Sequence, residues 1–351
     1  MAGALCGVHA QVQVSAELQL AARLEGAAQA DVRAALWEER TLVKAWTVRG
    51  TLHLHPAGDL PLWLAARRAV VGSADQGLPA WPDPAGVVHP PLDAEDVEAV
   101  RAAVWEVLNG RCLRRDELAE EVVERVGAAP RERLRSGFAF FLNELCQGPP
   151  QGSRITLVRP DQWINGWREV TDLDGALREA CRRFLYAYGP ARPADFRGWC
   201  GSAAFKVADA RALFESLGGE LVEIRVADHP CFVLAGDRSF PEPSHQVRLL
   251  PEYDAYVMGF RERDQLVPQP LRDLIANHGR GRYEGPAAVR LVLVDGIAAG
   301  VWERRKRGKR LELEVRLTRR VRKSEREELQ HEAKRLGAFL GLEPVLSIGS
   351  G

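Results

Sequence analysis

Apolar residues recur at helical spacing over 30–39. After them two alternating runs close around Val48-Arg49-Gly50-Thr51, and the second run, TLHLH, stops at Pro56. That order predicts a helix feeding a β-hairpin. It returns with a helix from about 131, a Gly/Pro turn over 148–152 and the strand ITLV running into Arg159-Pro160-Asp161. It returns again with a helix ending at Gly218-Gly219 and the strands ELVEIRV and CFVLA on either side of a turn at 228–230. Further helical stretches precede each copy: 17–24 in the first, with Ser15 as N-cap and Gly26 beyond its end, then 94–108 and 115–126, then 173–188 and 191–199. Helices followed by a hairpin is the order of a winged helix-turn-helix unit, and its recurrence every 60–90 residues or so predicts three in tandem. The rival reading is an α+β chain whose hairpins follow helices without a common plan.

Beyond the third copy the pattern changes. LLPEYDAYVMG reads as an apolar alternating run, a short helix is expected over 270–278, and three strand-like runs follow: AVRLVLVDG, IAAGVWERR and KRLELEVRL. Asp295-Gly296 joins the first two, a strong hairpin signal, and Lys306-Arg307-Gly308 joins the last two. An amphipathic helix over 323–340 ends the chain. The expected fold is therefore α+β: winged helices over 1–72, 93–170 and 171–240, a Pro/Gly-rich linker over 73–92, and an antiparallel C-terminal sheet with a terminal helix over 241–351.

Composition narrows the classes open to such a chain. Its 351 residues, 46% hydrophobic, suffice for several cores. The start MAGALCGVHA lacks a cationic leader, and no run reaches the roughly 18 apolar residues of a membrane helix, so a cytoplasmic, non-membrane protein is expected. The six cysteines stand apart, with no CxxC pair and no zinc spacing, which predicts buried thiols, no metal and no cofactor. Formal net charge is zero, yet residues 304–326 hold twelve Lys/Arg against three Glu. The cations Arg304, Arg305, Lys306, Arg307, Lys309 and Arg310 crowd one predicted hairpin tip with no acid among them. Winged helices and such a tip both suit nucleic acid, whose phosphates these cations would neutralise.

At the other end, GVHAQVQVSAEL places Gln11 and Gln13 two apart ahead of a helix start. Side chains at i and i+2 share a face only in extended structure, so QVQ should be extended or a turn, near the positive end of the helix that follows. Read alone, two such amides cap backbone groups. However, GVHAQVQ, ALWEERTLVKAWTVRGTLHLHPAGDLPLWLAA, RPDQW, CRRFLYAYGPARPADFRGWCG, LLPEYDAYVMG and VDGIAAGVW, in that order, resemble the AlkZ-type (YcaQ-like) bacterial DNA glycosylases over nearly the whole chain. The pairing of QxQ with RGTLHL is the most specific part of the likeness.

The resemblance implies a C-shaped scaffold of three winged helices and excision of bulky cationic alkylpurines from double-stranded DNA or unhooking of interstrand crosslinks. It assigns catalysis to the QxQ amides, here Gln11 and Gln13. It also implies a further N-terminal helix ahead of the motif, which this sequence is expected to lack. The chemistry agrees: an N7-alkylpurine is already a cationic leaving group, so the enzyme has to orient a water and stabilise an oxocarbenium-like sugar, and two amides can hold a water without titrating. Asp254 is a second candidate, as a stabiliser of the cationic sugar or as a turn cap. Arg49, Thr51 and His53 are expected to contact backbone or phosphate. His53 and His55 alternate as metal ligands might, without an evident third, and His9 either assists the amides or packs. A monomer is expected. The alternatives are a non-catalytic winged-helix transcription regulator, which would want a dimerisation element that the sequence does not show, and a protein-interaction scaffold, which leaves the basic hairpin unexplained.

Overall fold

The computed structural model of the chain describes residues 1–72, 77–83, 85–136, 144–240, 245–259, 263–277 and 281–350. Helices and sheets are both major components, the mixed α+β class expected. None of the helices among the described residues is long and apolar enough to cross a membrane. The chain divides into two compact units: Met1–Ala34 with Arg183–Trp199 and Leu217–Gly351, and Ala35–Arg182 with Cys200–Ser216.

In the first unit, five strands lie in the order Val247–Leu250, Leu291–Val294, Ile297–Arg307, Arg310–Leu317, Glu343–Ser350. The first three pairings are antiparallel. Asp295 and Gly296 both take positive φ, 52° and 82°, as a two-residue hairpin turn of this hand requires. The basic hairpin turns tighter than expected, with Arg307 opposite Arg310 and only Gly308 and Lys309 between them. The last strand, unforeseen because its side chains alternate between exposed and half-buried, pairs parallel with Arg310–Leu317. A parallel return needs a crossover, and the helix Lys323–Leu340 supplies it. Leu250, Val257, Val267, Leu271, Leu291 and Val301 form the core beneath.

LLPEYDAYVMG does not form the expected continuous run. A strand ends at Leu250, the chain turns, and a short helix begins at Ala255. The reason lies in Asp254, whose side chain accepts from the backbone N–H of Tyr256 and starts a helical turn. The helix expected over 270–278 is Gln269–Ala276, and residue 278 lies outside the described residues. Between the strands His229–Leu234 and Leu221–Val226 the turn is Ala227-Asp228 instead of 228–230, with Ala227 at φ 51°.

The second unit carries the other two hairpins. Leu52–Pro56, Leu42–Trp46, Cys146–Gln151, Arg154–Val158 and Leu113–Arg114 hydrogen bond in that order, so the first and second hairpins join edge to edge at Lys44↔Gln147. The turn expected over 148–152 is shorter, because Gly148 and the two prolines after it belong to the strand, with a register irregularity there. Gly148 leaves no room for a Cβ, which would meet Cys112 Sγ and Thr156 Oγ1 at 2.8 Å. Leu60–Val71 is a helix that alternation did not reveal; it is apolar on most sides and buries Trp63 completely. The segment expected as a linker folds on itself, Trp81–Pro82 pairing with Val88–His89 and Leu78 bridging Leu92; its residues 73–76 and 84 lie outside the described set.

Candidate active site

Gln11 and Val12 form a bend and Gln13 opens the helix Gln13–Ala21. The open conformation expected of QVQ thus holds for its first two residues. The helix starts earlier than expected, with extended Val12 (φ −108°, ψ 109°) as N-cap. Ser15 is not the cap: it sits within the first turn and its hydroxyl donates to the carbonyl of Glu252. Gln11 is exposed and Gln13 half-buried at the helix's positive end.

One turn on from Gln13, Glu17 is fully buried and accepts from four donors: Gln13 Nε2 at 3.4 Å, Gln29 Nε2 at 2.6 Å, Arg33 Nε at 3.0 Å and Arg33 Nη2 at 3.5 Å. A carboxylate only accepts, so this contact fixes which end of the Gln13 amide is nitrogen and which is carbonyl oxygen. Sequence reasoning missed this group, although the i, i+4 spacing of Gln13 and Glu17 was a readable signal.

The segment 252–255 is fastened at several points to the same helix and to the residues just past its end. Gln19 donates to the carbonyl of His9 at 3.0 Å and accepts from Ala255 N at 3.1 Å, while Arg23 grips Asp254 with both Nη atoms at 2.8 and 2.6 Å. Asp254 is fully buried in that pair. Of the two roles expected of Asp254, the side chain makes the turn-capping contact, accepting from Tyr256 N, and it holds Arg23. His9 is 6% exposed, and its ring lies 5.1 Å from that of Tyr253.

Arg304 is also not where the sequence placed it. It lies three residues short of the hairpin turn, half-buried, within electrostatic reach of Arg290, Glu252, Glu17 and Glu303. Its Nε is buried without an acceptor. Burial pulls its pKa below the usual arginine value, with the neighbouring Arg290 adding to the effect. Arg290 has acids of its own, Glu252 at 2.7 Å and Glu303 at 2.6 Å. Arg305, Lys306, Arg307, Lys309 and Arg310 are exposed, as expected of a tip, though Arg307 meets Glu312 at 3.1 Å from the facing strand.

Arg49, Thr51, His53 and His55 lie in the second unit. Arg49 and Thr51 flank the hairpin turn and are partly exposed. Arg67 donates to the carbonyl of Thr47 at 2.9 Å and so holds the base of that turn. His53 and His55 are fully buried. His53 Nδ1 donates to Thr51 O at 2.9 Å and His55 Nε2 pairs with Thr47 Oγ1 at 3.1 Å. Of the backbone and phosphate contacts expected of His53, the buried ring makes the one to backbone. No group of three His, Cys, Asp or Glu among the described residues is placed to hold a metal.

A family model described as DNA glycosylase AlkZ-like matches residues 2–339. The chain belongs to the AlkZ-like DNA glycosylase family. It is 30% identical over 312 residues to an interstrand DNA cross-link repair glycosylase of Streptomyces sahachiroi, covering 86% of this chain and 80% of that protein. The solved DNA glycosylase AlkZ of Streptomyces sahachiroi superposes with a TM-score of 0.79 at 28% identity, over 99% of this chain and 92% of that one. This AlkZ-like protein is accordingly an enzyme of DNA repair that cleaves base from sugar, and the non-catalytic regulator gives way to that reading. Its substrate is DNA.

Proposed function

We propose that this glycosylase hydrolyses the N-glycosidic bond of cationic N7-alkylpurines in double-stranded DNA, through a water held by Gln11 and Gln13. The observation that carries the reading is the Gln13–Glu17 contact. With its nitrogen donating to Glu17, the Gln13 amide is assigned its carbonyl oxygen as the acceptor for a water proton, and exposed Gln11 the second contact. The water oxygen bonds to C1′ as the bond from C1′ to the purine breaks. The bonding electrons pass to the base and cancel its positive charge, and the water's surplus proton leaves to solvent. No group has to titrate, because the leaving group is activated by its own charge.

In this reading the helix–hairpin segments 1–72, 93–170 and 171–240 are winged helices, and Arg49, Thr51 and the exposed cations Arg305, Lys306, Arg307, Lys309 and Arg310 face the phosphates. Unhooking of an interstrand crosslink is the second reading. It is favoured by the cross-link repair activity named for the Streptomyces sahachiroi relative, and a crosslink through two N7 atoms is chemically two such adducts.

The test is single-turnover release of base from duplexes carrying N7-methylguanine or a nitrogen-mustard crosslink, with alkaline cleavage to reveal abasic sites. Gln11→Ala should raise the barrier by about 3 kcal/mol, on the order of 100-fold in rate. An unchanged rate in that variant removes the assigned role.

A further inference from the structure

Tyr253 has positive φ, 58°, a region bulky side chains rarely adopt. Two other non-glycine residues with positive φ, Ala227 and Asp295, sit in tight hairpin turns that demand it. Tyr253 is in no hairpin. Its conformation is imposed by its neighbours. Glu252 is held through its carbonyl by Ser15 and through its carboxylate by Arg290, Asp254 by both Nη atoms of Arg23, and Ala255 N by Gln19. Tyr253 N itself donates to Ala287 O at 2.6 Å. A strained conformation fixed from both sides is the kind of feature that marks a working position.

The placement of the ring points the same way. His9, two residues before Gln11, lies against the Tyr253 ring at 5.1 Å and 39°. Ser15, two residues after Gln13, bonds the residue preceding Tyr253. The strained tyrosine is therefore fastened to the chain on both sides of the glutamine pair. Its ring is half-buried, and its hydroxyl donates to exposed Glu284 at 2.5 Å.

We propose that Tyr253 is a specificity-determining residue whose ring lies against the positively charged base of the damaged nucleotide and selects it by cation–π attraction. The proposal rests on the N7-alkylpurine reading given above. It also carries a kinetic signature. The base loses its charge as the glycosidic bond breaks, so the attraction is strongest before reaction and fades in the transition state. Tyr253 accordingly tightens binding of the lesion and does not accelerate the chemical step, the reverse of what the glutamines do.

The experiment measures, under single turnover, the enzyme concentration for half-maximal rate and the saturated rate on an N7-methylguanine duplex, together with affinity for the same duplex undamaged. Tyr253→Phe should match the wild type. Tyr253→Leu should raise the half-saturating concentration by about 5- to 30-fold, the span of a desolvated cation–π contact, with a saturated rate at or above that of the wild type and the affinity for undamaged DNA unchanged. Tyr253→Gly relieves the backbone and should show the same split while retaining the melting temperature, which a merely structural tyrosine would not allow. Wild-type half-saturation in Tyr253→Leu, or an equal loss of affinity for undamaged DNA, overturns the proposal and leaves the glycosylase reading standing. Failure of the wild type to release N7-methylguanine overturns both.

Discussion

Glu17→Ala is the perturbation that probes the candidate site most directly. The carboxylate is fully buried and filled by four donors, yet the partners it leaves behind differ in their exposure. Arg33 is 55% exposed and can return to water, so the large penalty of an abandoned buried cation does not apply. Gln29 and Gln13 are half-buried, and each loses one hydrogen bond. The expected loss of stability is therefore about 1–3 kcal/mol, tolerable for a chain of this size. The effect on catalysis should be larger than that suggests. In the proposed mechanism, removing Glu17 takes away the acceptor for the Gln13 nitrogen, and a water held by a less constrained amide loses its alignment with C1′. A misplacement of this kind costs on the order of 100-fold, about 2.7 kcal/mol.

The assay is the saturated single-turnover rate on an N7-methylguanine duplex, with the folded fraction fixed by thermal melting. Glu17→Gln preserves volume and one acceptor, so it should fall between Glu17→Ala and the wild type. A folded Glu17→Ala enzyme working within about twofold of the wild-type rate would refute the reasoning that Glu17 orients Gln13.

Three further outcomes follow from other contacts. Lys306→Ala with Lys309→Ala should flatten the dependence of log affinity on log salt by about 2 while leaving the saturated rate alone, and an unchanged slope in a salt titration would show that the exposed tip does not meet phosphate. Asp254→Ala abandons Arg23, only 17% exposed, and should cost about 3–5 kcal/mol in denaturant unfolding, whereas a loss of rate without a loss of stability would return Asp254 to the chemistry. Glu325 is held at about 2, first by its hydrogen bonds from Arg319, against a usual value of 4.5. A depressed carboxylate pKa stabilises the fold above pH 4.5, and that contribution is lost as pH falls from about 5 to 2. Because Arg319 is 40% exposed, screening trims the effect to about 2 kcal/mol; acid melts of wild type and Glu325→Gln should converge below pH 2, and parallel curves would contradict the assignment.

Elements fixed by local chemistry were legible from the sequence. Asp295-Gly296 specified its turn because only such residues accept positive φ twice in succession, and the terminal helix was found at both ends because its apolar stripe runs unbroken over Lys323–Leu340. Elements fixed by distant partners were not. The strand Glu343–Ser350 exists because Arg310–Leu317 offers it a parallel edge, and the break after Leu250 depends on Asp254 bonding both Tyr256 N and Arg23. The site divides in the same way. Gln11 and Gln13 were found through resemblance to a family, while the enclosure of His53 and Asp254 was not legible, because no periodicity reveals that a polar side chain is buried. Tyr253 escaped notice because backbone strain leaves no mark in composition.

In the proposed mechanism a buried acid stands beside the glutamines and does no acid chemistry. Glu17 is the carboxylate nearest the pair in sequence, and a catalytic carboxylate would need an open face toward the sugar. Its side chain is fully covered, and its oxygens are taken by Gln13, Gln29 and Arg33. A group enclosed in this way influences the reaction only through what it holds. That suits a substrate whose base departs under its own positive charge: there is no proton for an acid to donate, and a bare carboxylate facing the lesion would attract intact cationic base as readily as the reacting sugar. A neutral amide held by an enclosed anion avoids that ground-state attraction and leaves discrimination of the charged base to the aromatic ring of Tyr253. If the proposed assignments hold, orientation of the water and recognition of the charge fall to different residues, and Gln11→Ala and Tyr253→Leu should separate into a rate defect and a binding defect.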